Sequence, residues 1–91
     1  MNAPSTLMYY PDSKPGIARR RCGRGFSYHT VDGRCIKDKA ERDRLTQLAV
    51  PPAYEKVWIS PHVNGHLQAT GFDARGRKQY RYHPLWSEAQ A

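Results

Sequence analysis

Three glycine-bearing turn signals cut the chain between Phe26 and His83: Val31-Asp32-Gly33-Arg34, His62-Val63-Asn64-Gly65 and Asp73-Ala74-Arg75-Gly76. Each is flanked by short runs in which large apolar and polar side chains alternate. Asp-Gly and Asn-Gly favour tight type I′ hairpin turns, because these residues reach positive φ at little steric cost. A period of two sends successive side chains to opposite faces of a strand. Such punctuation leads to an antiparallel sheet and leaves room for little else. Residues 25–37 read as one hairpin, with Phe26-Ser27-Tyr28-His29-Thr30 going out and Cys35-Ile36 returning. Lys56–Ser60, His66–Thr70 and Arg77–His83 read as three further strands. Val57, Ile59, Leu67 and Ala69 are expected on one face, with Trp58, Gln68 and Thr70 on the other.

One run breaks this pattern. Asp38-Lys39-Ala40-Glu41 fits a capping box, and Ala40, Leu45, Leu48 and Ala49 form an apolar stripe for a helix from Lys39 to Leu48. Arg42, Asp43 and Arg44 point outward in this reading, and Pro51-Pro52 ends the helix. The expected fold class is α+β: a small five-stranded antiparallel β-sheet over residues 25–83, one main helix packed on one face, and the start of a C-terminal helix at Ser87–Ala91. Upstream, residues 1–6 read as a disordered tail, Leu7-Met8-Tyr9-Tyr10 as a short strand or an anchor onto the core, and Asp12–Gly16 as a turn. Arg19-Arg20-Arg21, followed by Cys22 and glycines, sets like charges side by side. That predicts a mobile, phosphate-facing loop or a solvated charge run in place of a core strand. Residues 7–86 would make one domain and 87–91 the start of a linker.

Composition narrows the function. A chain of 91 residues buries roughly 60–65% of its unfolded surface, enough for one modest core. Fifteen Lys and Arg against eight Asp and Glu give a net charge of +7, the electrostatic footprint of a nucleic-acid binder when the cations cluster. No apolar run approaches the ~20 residues of a membrane span, and the N-terminus lacks the basic flank and apolar core of a secretory signal. The expectation is a cytoplasmic, nucleoid-associated chain with no membrane partner and with Cys22 and Cys35 reduced. Cys22, Cys35, His29, His62, His66 and His83 lack the paired spacing of a structural zinc site, and no cofactor is expected. Asp32, Asp38, Glu55 and Asp73 show no catalytic pairing, and neither Gly-x-Ser-x-Gly nor a P-loop is present. A tyrosine nucleophile would need cations converging on a phosphate in a dry pocket, which a core of this size seldom builds. No catalytic residue is assigned.

Binding remains, and it concentrates between Gly71 and Pro84. Arg75, Arg77, Lys78 and Arg81 stand there against the carboxylate of Asp73, beside Gln79, Tyr80 and Tyr82. Cations suit phosphates, a planar amide can read adenine, and tyrosines offer stacking faces and a hydroxyl. On a strand, Lys78, Tyr80 and Tyr82 share one face, while Arg77, Gln79, Arg81 and His83 share the other. Periodicity alone leaves open whether the tyrosines form the buried face or a ligand surface. Lys78 among them suits a rim better than a core. The DNA-binding candidates are Gln79, Tyr80, Tyr82, Arg75, Arg77 and Lys78, together with Arg19, Arg20 and Arg21.

Gly71-Phe72-Asp73-Ala74-Arg75-Gly76-Arg77-Lys78-Gln79-Tyr80-Arg81-Tyr82-His83 resembles the signature of type IB DNA topoisomerases of the poxvirus and bacterial kind. The likeness extends to Pro15–Arg21, to Gly23–Tyr28, to Val50-Pro51-Pro52-Ala53-Tyr54 with Val57-Trp58-Ile59, and to Gly65–Gly71. It departs at Arg81, where viral members can carry an apolar residue, and at Cys22, which interrupts a basic run. The resemblance implies a small amino-terminal domain of β-sheet and helices that clamps one side of duplex DNA. Residues matching Gln79, Tyr80 and Tyr82 would contact the major groove. It also implies a second, helical domain carrying the catalytic tyrosine and its arginine, lysine and histidine helpers. Relaxation would then proceed without ATP or metal through a transient 3′-phosphotyrosyl bond, and these 91 residues would bind DNA without cutting it. The implied partners are double-stranded DNA and the C-terminal catalytic domain of the same chain, with the protein a monomer.

Two other readings stay in view. Arg24-Gly25-Phe26-Ser27-Tyr28 resembles the RNP1 strand of RRM domains, which points to single-stranded nucleic acid or RNA. A basic face can also dock an acidic protein.

Overall fold

Five strands and one main helix dominate the computed structural model, which describes residues 7–86; the tail expected at 1–6 and the helix start expected at 87–91 lie outside the described residues. The strands are β1 (Ile17–Cys22), β2 (Gly25–His29), β3 (Glu55–Ile59), β4 (Leu67–Phe72) and β5 (Lys78–Tyr82), with α1 (Lys39–Gln47) between β2 and β3. They form one antiparallel sheet in the order β2-β1-β3-β4-β5. Residues 84–86 open a short second helix after β5. The α+β class is as expected, but the strands are not all the expected ones.

The arginine run is the main correction. Arg19, Arg20 and Arg21 belong to β1, an interior strand paired to β2 on one side and β3 on the other. Alternation resolves the charge crowding, because Arg20 projects to the face opposite Arg19 and Arg21. Ile17 of the same strand is buried in the core. The hairpin partner of β2 is therefore β1, and Cys35-Ile36 is no strand. A single bridge joins His29 to Cys35, the Ile36 amide donates to the Tyr28 carbonyl at 2.8 Å, and the Ile36 side chain packs against the core.

The turns are tighter in sequence than in geometry. Thr30–Arg34 and Asp73–Arg77 each enclose three residues, with Gly33 at φ 89° and Gly76 at φ 77°. These are type I turns closed by a left-handed glycine, not the type I′ form. His62–Gly65 is a turn within the β3–β4 connection, as expected, but not of the I′ form, since neither Val63 nor Asn64 has a positive φ. Gly65 donates to the His62 carbonyl, and the Asn64 carbonyl accepts from Met8.

Asp38 caps α1 as expected, its carboxylate accepting from the Glu41 amide at 2.9 Å. The Glu41 side chain does not return to close a capping box; it pairs with Arg44 at 3.1 Å. Arg44 does not point outward. It donates to Gln68 Oε1 at 3.1 Å and to the Ser60 carbonyl at 2.9 Å, tying the helix to the sheet. Ala40 and Ala49 are exposed, so the apolar stripe reduces to Leu45 and Leu48. Ala49 lies beyond the helix at φ 53°, a left-handed residue that lets Leu48 and Ala49 donate back to Leu45 and Thr46 and ends the helix before the prolines.

The core on the α1 face gathers Ile17, Leu45, Val57, Ile59 and Ala69. A bulge between Leu67 and Ala69 changes the face of one side chain. Gln68 turns toward Arg44 of α1, and Leu67, paired with Tyr82, joins the opposite face. The centre of that opposite face is covered by residues 8–16, which act as a strap. Met8 pairs with Gly65, Tyr10 stacks on Trp58 at 6.2 Å, and Trp58 Nε1 donates to the Lys14 carbonyl at 2.9 Å. A Cβ on Gly16 would sit 2.2 Å from the Trp58 indole, so the strap crosses there only because residue 16 has no side chain. No helix among the described residues is long and apolar enough to cross a membrane.

Leu45 is the one side chain of α1 that is fully buried. Leu45→Ala should lower unfolding free energy by about 2–5 kcal/mol in urea denaturation followed by circular dichroism. A loss under about 1 kcal/mol would mean that α1 is not holding the sheet.

Candidate nucleic-acid interface

β5 is an edge strand, and its two faces carry different chemistry. Tyr80 lies opposite Thr70, which lies opposite Trp58, so Tyr80 shares the strap face. Arg81 lies opposite Ala69 and Gln79 opposite Gly71, both on the α1 face. The expected alternation along the strand is therefore present. Because β5 has no strand on its outer side among the described residues, both sets of side chains flank one open edge.

On the strap face, Tyr80 and Tyr82 stack on each other with centroids 6.1 Å apart and planes at 14°. Tyr82 stacks in turn on Trp86 at 6.3 Å. This row is anchored at its far end by His66, which is buried, makes an edge contact with Trp86 at 4.9 Å and stacks on Tyr9 at 4.7 Å. His66 Nδ1 accepts from the Tyr10 amide at 2.9 Å, which fixes the ring. Tyr80 and Tyr82 remain 51% and 44% exposed. Of the two packing roles left open by periodicity, the tyrosines take the surface one.

Lys78 begins the same face. Its ammonium pairs with Asp12 of the strap and lies 5.4 Å from the Tyr80 ring centroid. The hydrogen bond to Asp12 raises the Lys78 ammonium above its ordinary value, so the group stays charged and its charge is shared with the strap.

The hairpin before β5 is organised by Asp73. Its Oδ1 accepts the backbone N–H groups of Arg75 and Arg77, each at 2.9 Å. Its Oδ2 accepts Arg77 Nε and Gln79 Nε2, each at 3.0 Å. The Arg77 amide foremost, with the Arg75 amide and the Gln79 and Arg77 side chains, holds the Asp73 carboxyl below the usual carboxylate range against a smaller opposing effect of burial. Arg75 keeps its guanidinium exposed at the turn, while Arg81 donates to the Ala49 carbonyl at 3.1 Å.

The arginines of β1 separate by face. Arg19 donates to the carbonyls of Val50 and Pro51 at 2.8 Å and of Tyr54 at 3.2 Å, and lies 4.1 Å from the Phe26 centroid. Burial lowers its pKa, yet a guanidinium stays protonated at neutral pH. Arg21 reaches the Pro52 carbonyl at 3.2 Å and flanks the same ring at 5.0 Å. Arg20 alone of the three is exposed on the strap face. The structure thus gathers Arg75, Arg77, Lys78, Gln79, Tyr80 and Tyr82 on one hairpin and sets Arg19 apart beneath the Val50–Tyr54 segment. Sequence reasoning missed the strap residues Asp12 and Tyr9 and the anchor His66. A signal was available for Asp12 only, as a carboxylate in a chain that has few.

The sequence profile described as "Bacterial DNA topoisomerase IB, N-terminal domain" matches residues 25–73, just over half of the chain. The chain belongs to that family. The match runs from β2 through β4 and stops at Asp73, so β5 lies outside it. A DNA topoisomerase 1B of Acanthamoeba polyphaga mimivirus is 37% identical over 70 residues, covering 77% of this chain and 21% of that protein. This chain therefore spans about a fifth of the length of that curated relative. The family assignment is that of a topoisomerase IB amino-terminal domain.

The carboxyl of Asp73 supplies a pH test. A depressed folded-state pKa contributes stability above the unfolded value of about 4, and that stability is lost as pH falls through the folded value. Carboxyl titration by NMR should show Asp73 titrating below the ordinary range, with the Arg75 and Arg77 amide shifts following it. A hairpin that opens on acidification above about pH 5 would contradict this account.

Proposed function

We propose that residues 7–86 are the duplex-DNA-binding clamp domain of a type IB topoisomerase, and that they bind DNA without cleaving it. The observation that carries the reading is the stacked, half-exposed pair Tyr80–Tyr82 on an uncovered edge strand. In this domain, burying two tyrosines would be the cheaper course, since each buries on the order of 150–250 Å². Leaving them out beside Arg75 and Lys78 supports a ligand surface. A two-stranded ribbon such as β4–β5 fits the duplex major groove, and the open edge of β5 would enter it with Gln79 on one side and Tyr80 and Tyr82 on the other. Arg75, Arg77 and Lys78 would take phosphates, with Lys78 exchanging Asp12 for one. Arg20, on the strap face, would extend the contact across the sheet, while Arg21 lies with Arg19 on the opposite face. Arg19 acts in this reading as a support, its donors being committed to carbonyls.

Strand cleavage through a 3′-phosphotyrosyl bond and relaxation of supercoils would be activities of a longer protein that includes a catalytic domain, the partner of this one around DNA. In this reading the protein works on nucleoid DNA and as a monomer.

The single-strand alternative draws support from the Tyr80–Tyr82–Trp86 row, since aromatic ladders accept unpaired bases. An RRM-like module is a poor fit, because the described sheet has five strands and its one long helix lies between β2 and β3, in place of the four strands and two crossover helices of a β-α-β-β-α-β unit.

Competition of matched duplex, single-stranded DNA and RNA separates these readings. Six neutralised phosphates predict a slope of log K against log salt of about −5 for duplex. Tyr82→Ala should reduce duplex affinity about tenfold with the fold intact by circular dichroism, and supercoiled plasmid should remain uncut. Absence of salt-sensitive duplex binding at low ionic strength would overturn the proposal, and tighter binding to single strands would favour the alternative.

A further inference from the structure

The carboxylate of Asp73 does more than close a turn. We propose that Asp73 is a positioning residue that locks the polarity of the Gln79 amide, so that Gln79 selects a base edge offering a hydrogen-bond donor in the major groove. Those edges are adenine N6 and cytosine N4. The inference rests on the reading above, in which Gln79 faces DNA.

An ionised carboxylate only accepts hydrogen bonds. The amide atom 3.0 Å from Asp73 Oδ2 must therefore be Nε2, because Oε1 at that place would set two oxygens together with no proton between them. The carboxylate cannot swing aside to relieve such a clash. Two backbone amides hold Oδ1 and the Arg77 guanidinium holds Oδ2, and the Asp73 side chain is only 13% exposed. The same donors keep the carboxyl ionised at neutral pH.

Gln79 Oε1 accepts no hydrogen bond among the described residues, and it is not sealed from solvent. An unrestrained glutamine can turn its amide by half a turn and present either oxygen or nitrogen to a base. Here the oxygen is offered together with a single Nε2 proton, the other being committed to Asp73. Adenine satisfies both, N6 donating to Oε1 and N7 accepting from Nε2, whereas cytosine satisfies Oε1 alone. Guanine O6 and thymine O4 would set acceptor against acceptor at Oε1 and could use only the single remaining Nε2 proton. The expected order under Gln79 is adenine, then cytosine, with guanine and thymine disfavoured by about tenfold.

Asp73→Asn tests the lock. Its Oδ1 can still accept from the Arg75 and Arg77 amides, while an NH₂ group replaces Oδ2. Gln79 would then turn Oε1 inward and present Nε2 to the base. The full chain and its variants are to be equilibrated with duplexes randomised over a central window, and the bound fraction sequenced. The wild-type chain should prefer adenine or cytosine at one position, Gln79→Ala should flatten that position, and Asp73→Asn should invert it toward guanine or thymine. If Gln79→Ala flattens the position but Asp73→Asn leaves it as in the wild type, the lock is overturned while the DNA reading stands. If Gln79→Ala changes no position, Gln79 does not read DNA and both statements fail. Should Asp73→Asn not fold, the wild-type chain still decides the lock. The two Gln79 Nε2 proton shifts must follow the Asp73 carboxyl titration with the same midpoint, and shifts independent of it overturn the proposal.

Discussion

A five-stranded sheet has two faces, and among the described residues one nine-residue helix, α1, packs against it. At 1.5 Å per residue α1 is about 14 Å long, whereas five strands some 4.8 Å apart span about 20 Å. One helix cannot hide even one face completely. The domain answers with two irregular covers: the strap of residues 8–16 over Trp58, and the Val50–Tyr54 segment drawn down by Arg19. Both covers lie over the interior strands. β5, at the edge, receives neither in full, and among the described residues its tyrosines stay half exposed at the surface.

Charge is arranged around the same limit. Asp43, Glu41 and Asp32 pair with Lys39, Arg44 and Arg34, which leaves α1 and its approach largely compensated. Asp12 and Asp73 are the acids that reach β5 and its turn. Each does so through a specific geometry, and neither is spread along the surface. On our reading the clamp gains electrostatic attraction from cations such as Arg20 and Arg75, and it pays in ordering for the ones already held. Surface pairs are worth little each in water, so Asp12 can yield Lys78 to a phosphate. Asp73, gripped by four donors, is built to stay.

How far the sequence carried the account depended on whether the deciding contacts were local. The Asp38 cap, the inward Val57, Ile59 and Ala69, and the two-faced Lys78–Tyr82 strand follow from spacing alone, and all are present. The arginine run misled because charge density was weighed without the partner atoms. Arg19 is satisfied by carbonyls more than thirty residues away, which no local pattern reveals. Arg44 misled in the same way, finding Gln68 across the fold. The bulge that turns Gln68 inward leaves no mark on the alternation of His66–Thr70. The edge of β5 was legible as chemistry, but its exposure depends on strand order and on where the strap and the Val50–Tyr54 segment lie, which are properties of the whole fold.

The central claim is that the open edge of β5, and not the α1 face, meets duplex DNA. Its most direct test is amide and tyrosine-ring chemical-shift mapping of the labelled chain during titration with a short duplex at low salt. The account predicts that shifts concentrate on Arg75–Tyr82 and Arg20 while residues 38–47 stay silent. Shifts centred on α1, with the Tyr80 and Tyr82 rings unmoved, would contradict it.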